Sequence, residues 1–418
     1  MFKISSPVLS PVNDRAVYQK NGQFMLLDDA FDQANVLLHN IDGASHLKWS
    51  HDGEYIAFIL NGQLKVVTVA TAFVVDSPLQ NVSQFEWGTG TTLYVTANNG
   101  DLYEWLLQGQ ANCLLEQASI EAYHVAKEMA VIKRGHQLFA VQVREGKVGH
   151  LQEVTVQPGC YQQVAFSFTG QYVAYVGETD FERHLYVYDF DLGITQNLTE
   201  MLDVYAGDAM SPHTNDKQGI KEIQWIETDA LYFLLSSDGD VRLYYADLYG
   251  SLFPASPESE HIVSYSVARN GNWALYVANQ PFTQARLSWF DITMGEGRTI
   301  EEQPVSKLQQ VESYYEIVEV ASTAYYMWGY VPPQCEKALI ILSGQGRMLG
   351  NGYEARIAKE LSAENAVVLV NHPGALGYGV HYANAQFNEE NEADIQQVVA
   401  KWLAQKTGRT IPLYTTRD

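Results

Sequence analysis

A repeat constrains this chain more than any other feature. Over the first three hundred residues a unit recurs about every 40 residues. Each unit has a β-rich run closed by Gly or Asp, a second apolar run, a tight turn and a third run. Trp49-Ser50-His51-Asp52-Gly53 leads into residues 54–58, a turn at Asn61-Gly62 and a run over 64–67. Phe85-Glu86-Trp87 leads to Leu93-Tyr94-Val95, Asn99-Gly100 and Leu102-Tyr103. Residues 166–170 lead to 172–176 and 185–189. Trp225 leads to 231–233, Asp238-Gly239 and 241–245, and residues 268–271 lead to 273–276 and 287–291. β-Branched and aromatic residues alternate with period 2, as half-buried strands require. Asn-Gly and Asp-Gly supply the positive φ of tight hairpins. The units begin near residues 49, 87, 124, 166, 225 and 266, and the longest step holds an insertion around residues 202–218. A weaker unit precedes them at Ala16-Val17-Tyr18 and Phe24-Met25-Leu26-Leu27. Four strands at this period are the signature of a propeller blade. The pattern predicts an all-β, seven-bladed β-propeller over residues 1–305.

After residue 305 the grammar changes. Strand runs cover 314–320 and 325–331, and Pro332-Pro333 ends the second, because proline cannot donate to a ladder. Residues 338–342 are continuously apolar, which suits a strand covered on both faces. Residues 351–363 predict a helix, with Ile357, Ala358 and Leu361 at helical spacing. Residues 366–370 predict another buried strand, and 392–405 a helix with Ile395, Val398, Val399 and Leu403 on one face. The order β-β-β-α-β-α predicts an α/β layer unit over 306–418.

Charge and cysteine usage narrow the function. With 49 acidic and 26 basic residues the formal net charge is −23. Such a surface repels phosphate backbones and anionic lipid, so neither nucleic acid nor membrane is an expected partner. Cys113, Cys160 and Cys335 are far apart and form no C-x-x-C, which argues for reduced thiols in a cytoplasm. The N-terminal residues have no apolar signal-peptide core, and no apolar run approaches the roughly 20 residues of a membrane helix. The histidines show no H-E-x-x-H or similar spacing, so no metal or cofactor is expected.

The W-S-x-D-G motif at residues 49–53 resembles the blade repeat of TolB-like and prolyl-oligopeptidase-type propellers. Residues 325–333 are similar to the segment that opens the catalytic domain of that family. Residues 339–346 resemble its strand and oxyanion turn, usually H-G-G-P. Residues 371–379, Asn-His-Pro-Gly-Ala-Leu-Gly-Tyr-Gly, resemble its N-x-R-G-S-x-G-Y-G stretch, and this is the most specific match. Asn197-Leu198-Thr199-Glu200, followed by Gly207-Asp208, is similar to the fifth-blade region of bacterial acylaminoacyl-peptidase-like members. The resemblance implies a TolB-like propeller joined to an incomplete α/β-hydrolase domain, in a serine peptidase that hydrolyses short peptides.

The chain departs from the family at its chemistry. A serine nucleophile needs a base to take its proton and an acid to orient that base. In α/β-hydrolases it sits in a G-x-S-x-G elbow, with Asp and His later in the chain. No serine here meets that pattern; Gly43-Ala44-Ser45-His46-Leu47 comes nearest, lacks the last glycine and lies among the repeats. In the family the elbow follows the helix that here ends near Gln405, and residues 406–418 show no strand-Ser-helix pattern. The expectation is a chain that stops before its nucleophile, has no catalytic residue of its own and is inactive alone. Gly344, Gln345 and Gly346 stand where the oxyanion turn belongs, as its remnant or as an ordinary strand-to-loop turn. Without an elbow serine, His372 and His381 read as structural, and Gly374, Gly377 and Gly379 as turn residues. Glu178, Asp180, Glu182 and Arg183 read as a solvated charge cluster, or as a loop that meets peptide ends. Lacking its neighbour, the strand 338–342 is expected to be an open apolar edge, so that the C-terminal third is either covered by a second chain or by self-association or is poorly stable alone. Two other functions compete: a non-enzymatic propeller that binds peptides or proteins, and a half-enzyme completed by a second polypeptide.

Overall fold

The computed structural model describes residues 4–417 apart from 145, 156–158, 180–181, 201, 203–204, 211–222, 305–310, 321 and 388. Most of the predicted insertion over 202–218, Asp180, and the boundary expected at 305/306 lie outside the described residues.

Residues 4–39, 45–76 and 82–115 form three four-stranded antiparallel meanders, and 119–153 a five-stranded sheet. Residues 160–304 form a 13-stranded sheet whose meanders are linked by single parallel contacts, Arg183 to Tyr205 and Val241 to His261. The opening strands of successive meanders pack side by side, and Ile4–Leu9 packs on His261–Val267, so the row closes into a ring. This is a propeller.

The repeated motif has a physical task. Ser50 closes the loop between two strands: its hydroxyl donates to Asp52 Oδ1 (2.6 Å) and accepts from Tyr55 N (2.9 Å). Ser167 repeats the pattern with Tyr172 N (3.1 Å). Gly53 and Gly170 take φ of +71° and +67° there, a region side chains rarely adopt. Tryptophans join neighbouring opening strands: Trp49 Nε1 donates to Val8 O (2.9 Å), Trp87 to Lys48 O (3.2 Å) and Trp225 to Ala165 O (2.9 Å). At the closing seam Ser6 N donates to Ser264 Oγ (3.3 Å), Leu9 N to Ser266 Oγ (3.1 Å) and Tyr18 Oη to Glu301 (2.8 Å).

The C-terminal unit is a five-stranded sheet. Its strands are β1 (Glu312–Val320), β2 (Thr323–Val331), β3 (Ala338–Leu342), β4 (Ala366–Asn371) and β5 (Leu413–Arg417), in the order β1-β2-β4-β3-β5. The last three are mutually parallel. Helices α1 (Ala355–Ser362), α2 (Val380–Asn384) and α3 (Glu389–Thr407) complete it. Successive residues of a strand face opposite ways. Ile340, Val368 and Val370 therefore pack on Ile395, Val399 and Leu403 of α3, while Ile341, Val367 and Leu369 pack on Ile357 and Leu361 of α1.

The expectation of an open edge at 338–342 is corrected. β3 is interior: β5 pairs with it in parallel from Ala338–Leu413 to Leu342–Arg417, and Ala338 N donates to Pro412 O (2.9 Å). Among the described residues the unpaired edge lies one strand further out, on β5.

The two units meet backbone to backbone. Asn351 N donates to Gly239 O (2.9 Å) and Met348 N to Ala209 O (3.0 Å). Asn351 Nδ2 reaches Asp240 Oδ1 (2.7 Å) and Tyr353 N reaches Asn279 Oδ1 (2.9 Å). A Cβ on Gly350 would overlap the Gly239 carbonyl oxygen and Cα, so only glycine permits this approach.

Candidate functional site

Parallel α/β sheets offer their sites at the carboxyl ends of the strands. Here the loop after β3 and the loop after β4 meet at those ends, and Asn371 ties them together. The Asn371 side chain is fully buried; its Oδ1 accepts from Leu349 N (2.7 Å), and its Nδ2 donates to Leu349 O (2.8 Å) and to Tyr378 Oη (2.9 Å). Gly346 N donates to Gly374 O (2.9 Å), and Gly374 N to Tyr382 O (2.7 Å). Tyr378 stacks on Tyr326 of β2, with centroids 4.0 Å apart, and burial raises its hydroxyl well above the ordinary range. Gly374, Gly377 and Gly379 take φ of +107°, +81° and +94°, so all three do serve turn geometry.

Gly344, Gln345 and Gly346 lie in the turn leaving β3. Gly346 has φ of +72° and donates to Gly374 O in the loop after β4. The Gln345 side chain is pinned, its Nε2 donating to Ala383 O (3.3 Å). The backbone N–H groups of Gly344 and Gln345 donate to no acceptor among the described residues.

The same loop is anchored on the propeller. Arg347 Nε donates to Met210 O (3.1 Å) and its Nη2 to Glu354 Oε1 (3.1 Å). Beneath Met210 lies a buried pair: His261 Nε2 is 2.8 Å from Asp208 Oδ2, while Asp208 Oδ1 accepts from Met210 N (2.9 Å). Gly352 caps the imidazole closely; an added Cβ would stand 2.8 Å from His261 Nδ1. The carboxylate thus fixes the residue 208–210 segment that receives the loop after β3. Gly207-Asp208 was visible in the sequence as part of a resemblance. His261 and Arg347 carried no signal, because their partners are 53 and 137 residues away.

His372 is buried with its ring stacked on Phe387 (3.9 Å) and its Nδ1 2.6 Å from Pro373 O. Burial lowers its pKa. Its backbone N–H, not its ring, reaches Ser343 Oγ (3.3 Å). His381 is exposed on α2.

The charged cluster of the fifth meander is only partly solvated. Arg183 is buried, its guanidinium over the Tyr205 ring, so the reading of a wholly solvated cluster is corrected: the strand pairing with Tyr205 draws it inward. His184 Nδ1 is 3.1 Å from Thr199 Oγ1 and its Nε2 is 3.8 Å from Glu182. That hydroxyl is fully buried and accepts from Leu185 N (3.1 Å), so it closes a loop.

No family model matches the chain. A curated relative, the uncharacterized peptidase YuxL of Bacillus subtilis (strain 168), is 24% identical over 227 residues, 51% of this chain and 35% of the relative. The chain thus matches about a third of that relative's length. The acylaminoacyl peptidase of Pyrococcus horikoshii superposes with a TM-score of 0.75 at 14% identity, covering 100% of this chain and 73% of that one. An acylaminoacyl peptidase in complex with Z-Gly-Gly-Phe-chloromethyl ketone gives 0.75 at 15% identity, with the same coverage. A prolyl endopeptidase structure gives 0.67 at 13% identity, covering 99% and 68%. The resemblance read from the sequence holds: the propeller and the sheet that follows it have the architecture of prolyl-oligopeptidase-type peptidases.

Proposed function

We propose that this chain is the propeller-bearing part of a prolyl-oligopeptidase-family serine peptidase that hydrolyses short peptides in the cytoplasm. The observation that carries the reading is the superposition of the whole chain on acylaminoacyl peptidase. It is supported by the loops after β3 and β4, which meet beside the propeller as a substrate site between the two units requires. In this reading the 13-stranded sheet counts as three blades, the propeller has seven blades over 1–305, and an incomplete α/β-hydrolase domain follows over 306–418.

In this reading Gly344, Gln345 and Gly346 are the oxyanion turn. Acyl transfer builds negative charge on the carbonyl oxygen, and fixed N–H donors stabilise that charge. The N–H groups of Gly344 and Gln345, without an acceptor among the described residues, suit the task, and the Gln345 side-chain bond holds the turn in place. The 418 residues contain no G-x-S-x-G elbow. A hydroxyl without a neighbouring base is a poor nucleophile at neutral pH. These residues alone therefore do not turn over peptides.

The test is a fluorogenic N-acyl-peptide assay on the purified 418-residue chain, with fluorophosphonate labelling in parallel. No turnover and no labelled serine are expected. Turnover blocked by the fluorophosphonate would overturn the inactivity. A downstream reading frame carrying G-x-S-x-G, joined to this chain and producing activity, is the result the family reading requires.

A further inference from the structure

A cavity of about 590 Å³ lies between the propeller and the outer strands β1 and β2 of the C-terminal sheet. That volume is in the range that holds small ligands. It lies away from the Gly344–Gly346 turn, since three strand spacings of about 4.8 Å divide β1 from β3 in the order β1-β2-β4-β3-β5, and the loop after β3 reaches it through Asn351.

The cavity has an unbalanced charge. Among the described residues Asp238, Asp240 and Glu258 face it together with one cation, Arg242. Arg242 is already engaged, its Nη2 donating to Ser256 O (2.7 Å) and its Nη1 lying 3.6 Å from Glu258. Asp240 accepts only from neutral donors, Asn351 Nδ2 (2.7 Å) and Ser259 N (2.8 Å). Burial raises the Asp240 pKa, although the bonds from Asn351 and Ser259 and the charge of Arg242 oppose it. Asp238 stands at the exposed rim, where Ser237 Oγ donates to it (2.8 Å). Two carboxylates are thus left without an ion pair among the described residues.

The walls are aromatic. Tyr315 and Trp328 have ring centroids 4.6 Å apart, and Phe282 meets Tyr330 edge-on at 5.7 Å. Gly239 packs so closely on the Trp328 indole that no side chain fits between them, which fixes this wall in place. Aromatic faces attract cations, and guanidinium both stacks on rings and pairs with carboxylates. The described residues contain no group of three or more acidic, His or Cys side chains able to hold a metal ion. The combination selects an organic cation over an inorganic one.

We propose that this cavity binds a small organic cation, an alkylguanidinium on an apolar stem, with Asp238 and Asp240 on its charge and Tyr315 and Trp328 along its stem. The source is a free guanidine or the side chain of an arginyl peptide. The site does not depend on the peptidase reading.

Calorimetric titration of the full chain with butylguanidine, N-acetyl-arginine amide and the uncharged N-acetyl-citrulline amide tests this. At least one of the two cations is expected to bind at least tenfold tighter than the citrulline compound and to weaken as salt rises. Binding of butylguanidine alone assigns the free guanidine; binding of the arginine amide as well assigns the peptide side chain. Asp238→Asn changes a rim residue, and circular dichroism checks that it folds; it should weaken binding about tenfold. Equal binding of the uncharged compound, no binding of either cation at millimolar concentration, or an unchanged affinity in Asp238→Asn would each overturn the proposal.

Discussion

Replacing Gly350 by Ala isolates the contact between the two units. Gly350 is not among the residues with positive φ, so alanine is locally permitted and the effect belongs to the interface. The new methyl would overlap the Gly239 oxygen and Cα and lie 2.6 Å from its carbonyl carbon. These are backbone atoms of a hairpin turn, which cannot rotate away as a side chain can. The units must separate, and the bonds Asn351 N to Gly239 O, Met348 N to Ala209 O and Asn351 Nδ2 to Asp240 lengthen together. At roughly 1 kcal/mol net for each of the three bonds, with roughly 1–3 kcal/mol of overpacking strain, docking should weaken by about 4–6 kcal/mol. Each unit keeps its own core, so calorimetry should show one transition splitting into two. Hydrogen exchange should show lost protection at the Met348 and Asn351 amides. A variant that unfolds within about 1 kcal/mol of the parent and keeps both amides protected would refute the reasoning.

Other outcomes follow from single side chains. Burial, with Lys48 adding to it and Glu86 opposing, lowers the His46 pKa from 6.5 to about 4. The unfolded chain then binds the extra proton between those values, so stability is full above pH 6.5 and falls as pH drops toward 4. The loss is about 3 kcal/mol at about 1.4 kcal/mol per pH unit. Urea midpoints measured across that window should fall, and should fall less in His46→Gln. Asn371→Ala removes three hydrogen bonds, two of them buried, that hold the loops after β3 and β4, and should cost about 3 kcal/mol in denaturant titration. Asp208→Ala leaves the buried His261 without its carboxylate; the expected loss is about 3 kcal/mol, with the Met210 and Met348 amides exchanging faster.

Local chemistry made much of the fold legible. Asn61-Gly62 and Asp238-Gly239 spell hairpins because both residues of such turns need positive φ, and all four have it. The apolar runs of β3 and β4 spell strands covered on both faces, and both are buried. The repeat was read a few residues late, because its landmark Trp-Ser-x-Asp-Gly stands at the end of each opening strand, as Ser45–Trp49 shows. Helix α1 begins at Ala355 and not at Asn351, since Asn351 and Tyr353 give their N–H groups to the propeller, a competitor invisible in local periodicity. β5 escaped for a similar reason. Leu-Tyr-Thr-Thr-Arg is short and half polar, and it becomes a strand by pairing with β3, some seventy residues earlier. Of the candidate site, the glycine turns and Asn371 could be read from their motif. The anchorage through Arg347, Asp208 and His261 could not, because no local pattern encodes a contact between distant units.

The seam of the propeller sets the order in which the molecule can be assembled. Each meander is built from strands consecutive in sequence and bonds to the meander beside it, whereas the bonds that close the circle join residues 257 to 283 positions apart. Bringing such distant residues together costs about 1.6 kcal/mol more chain entropy than joining neighbours some forty residues apart. On a ribosome the early meanders can therefore mature one after another, while the circle waits for the stretch around residue 264 to emerge. The last joint to be made is also the least firmly prepaid, and the ring should breathe there first.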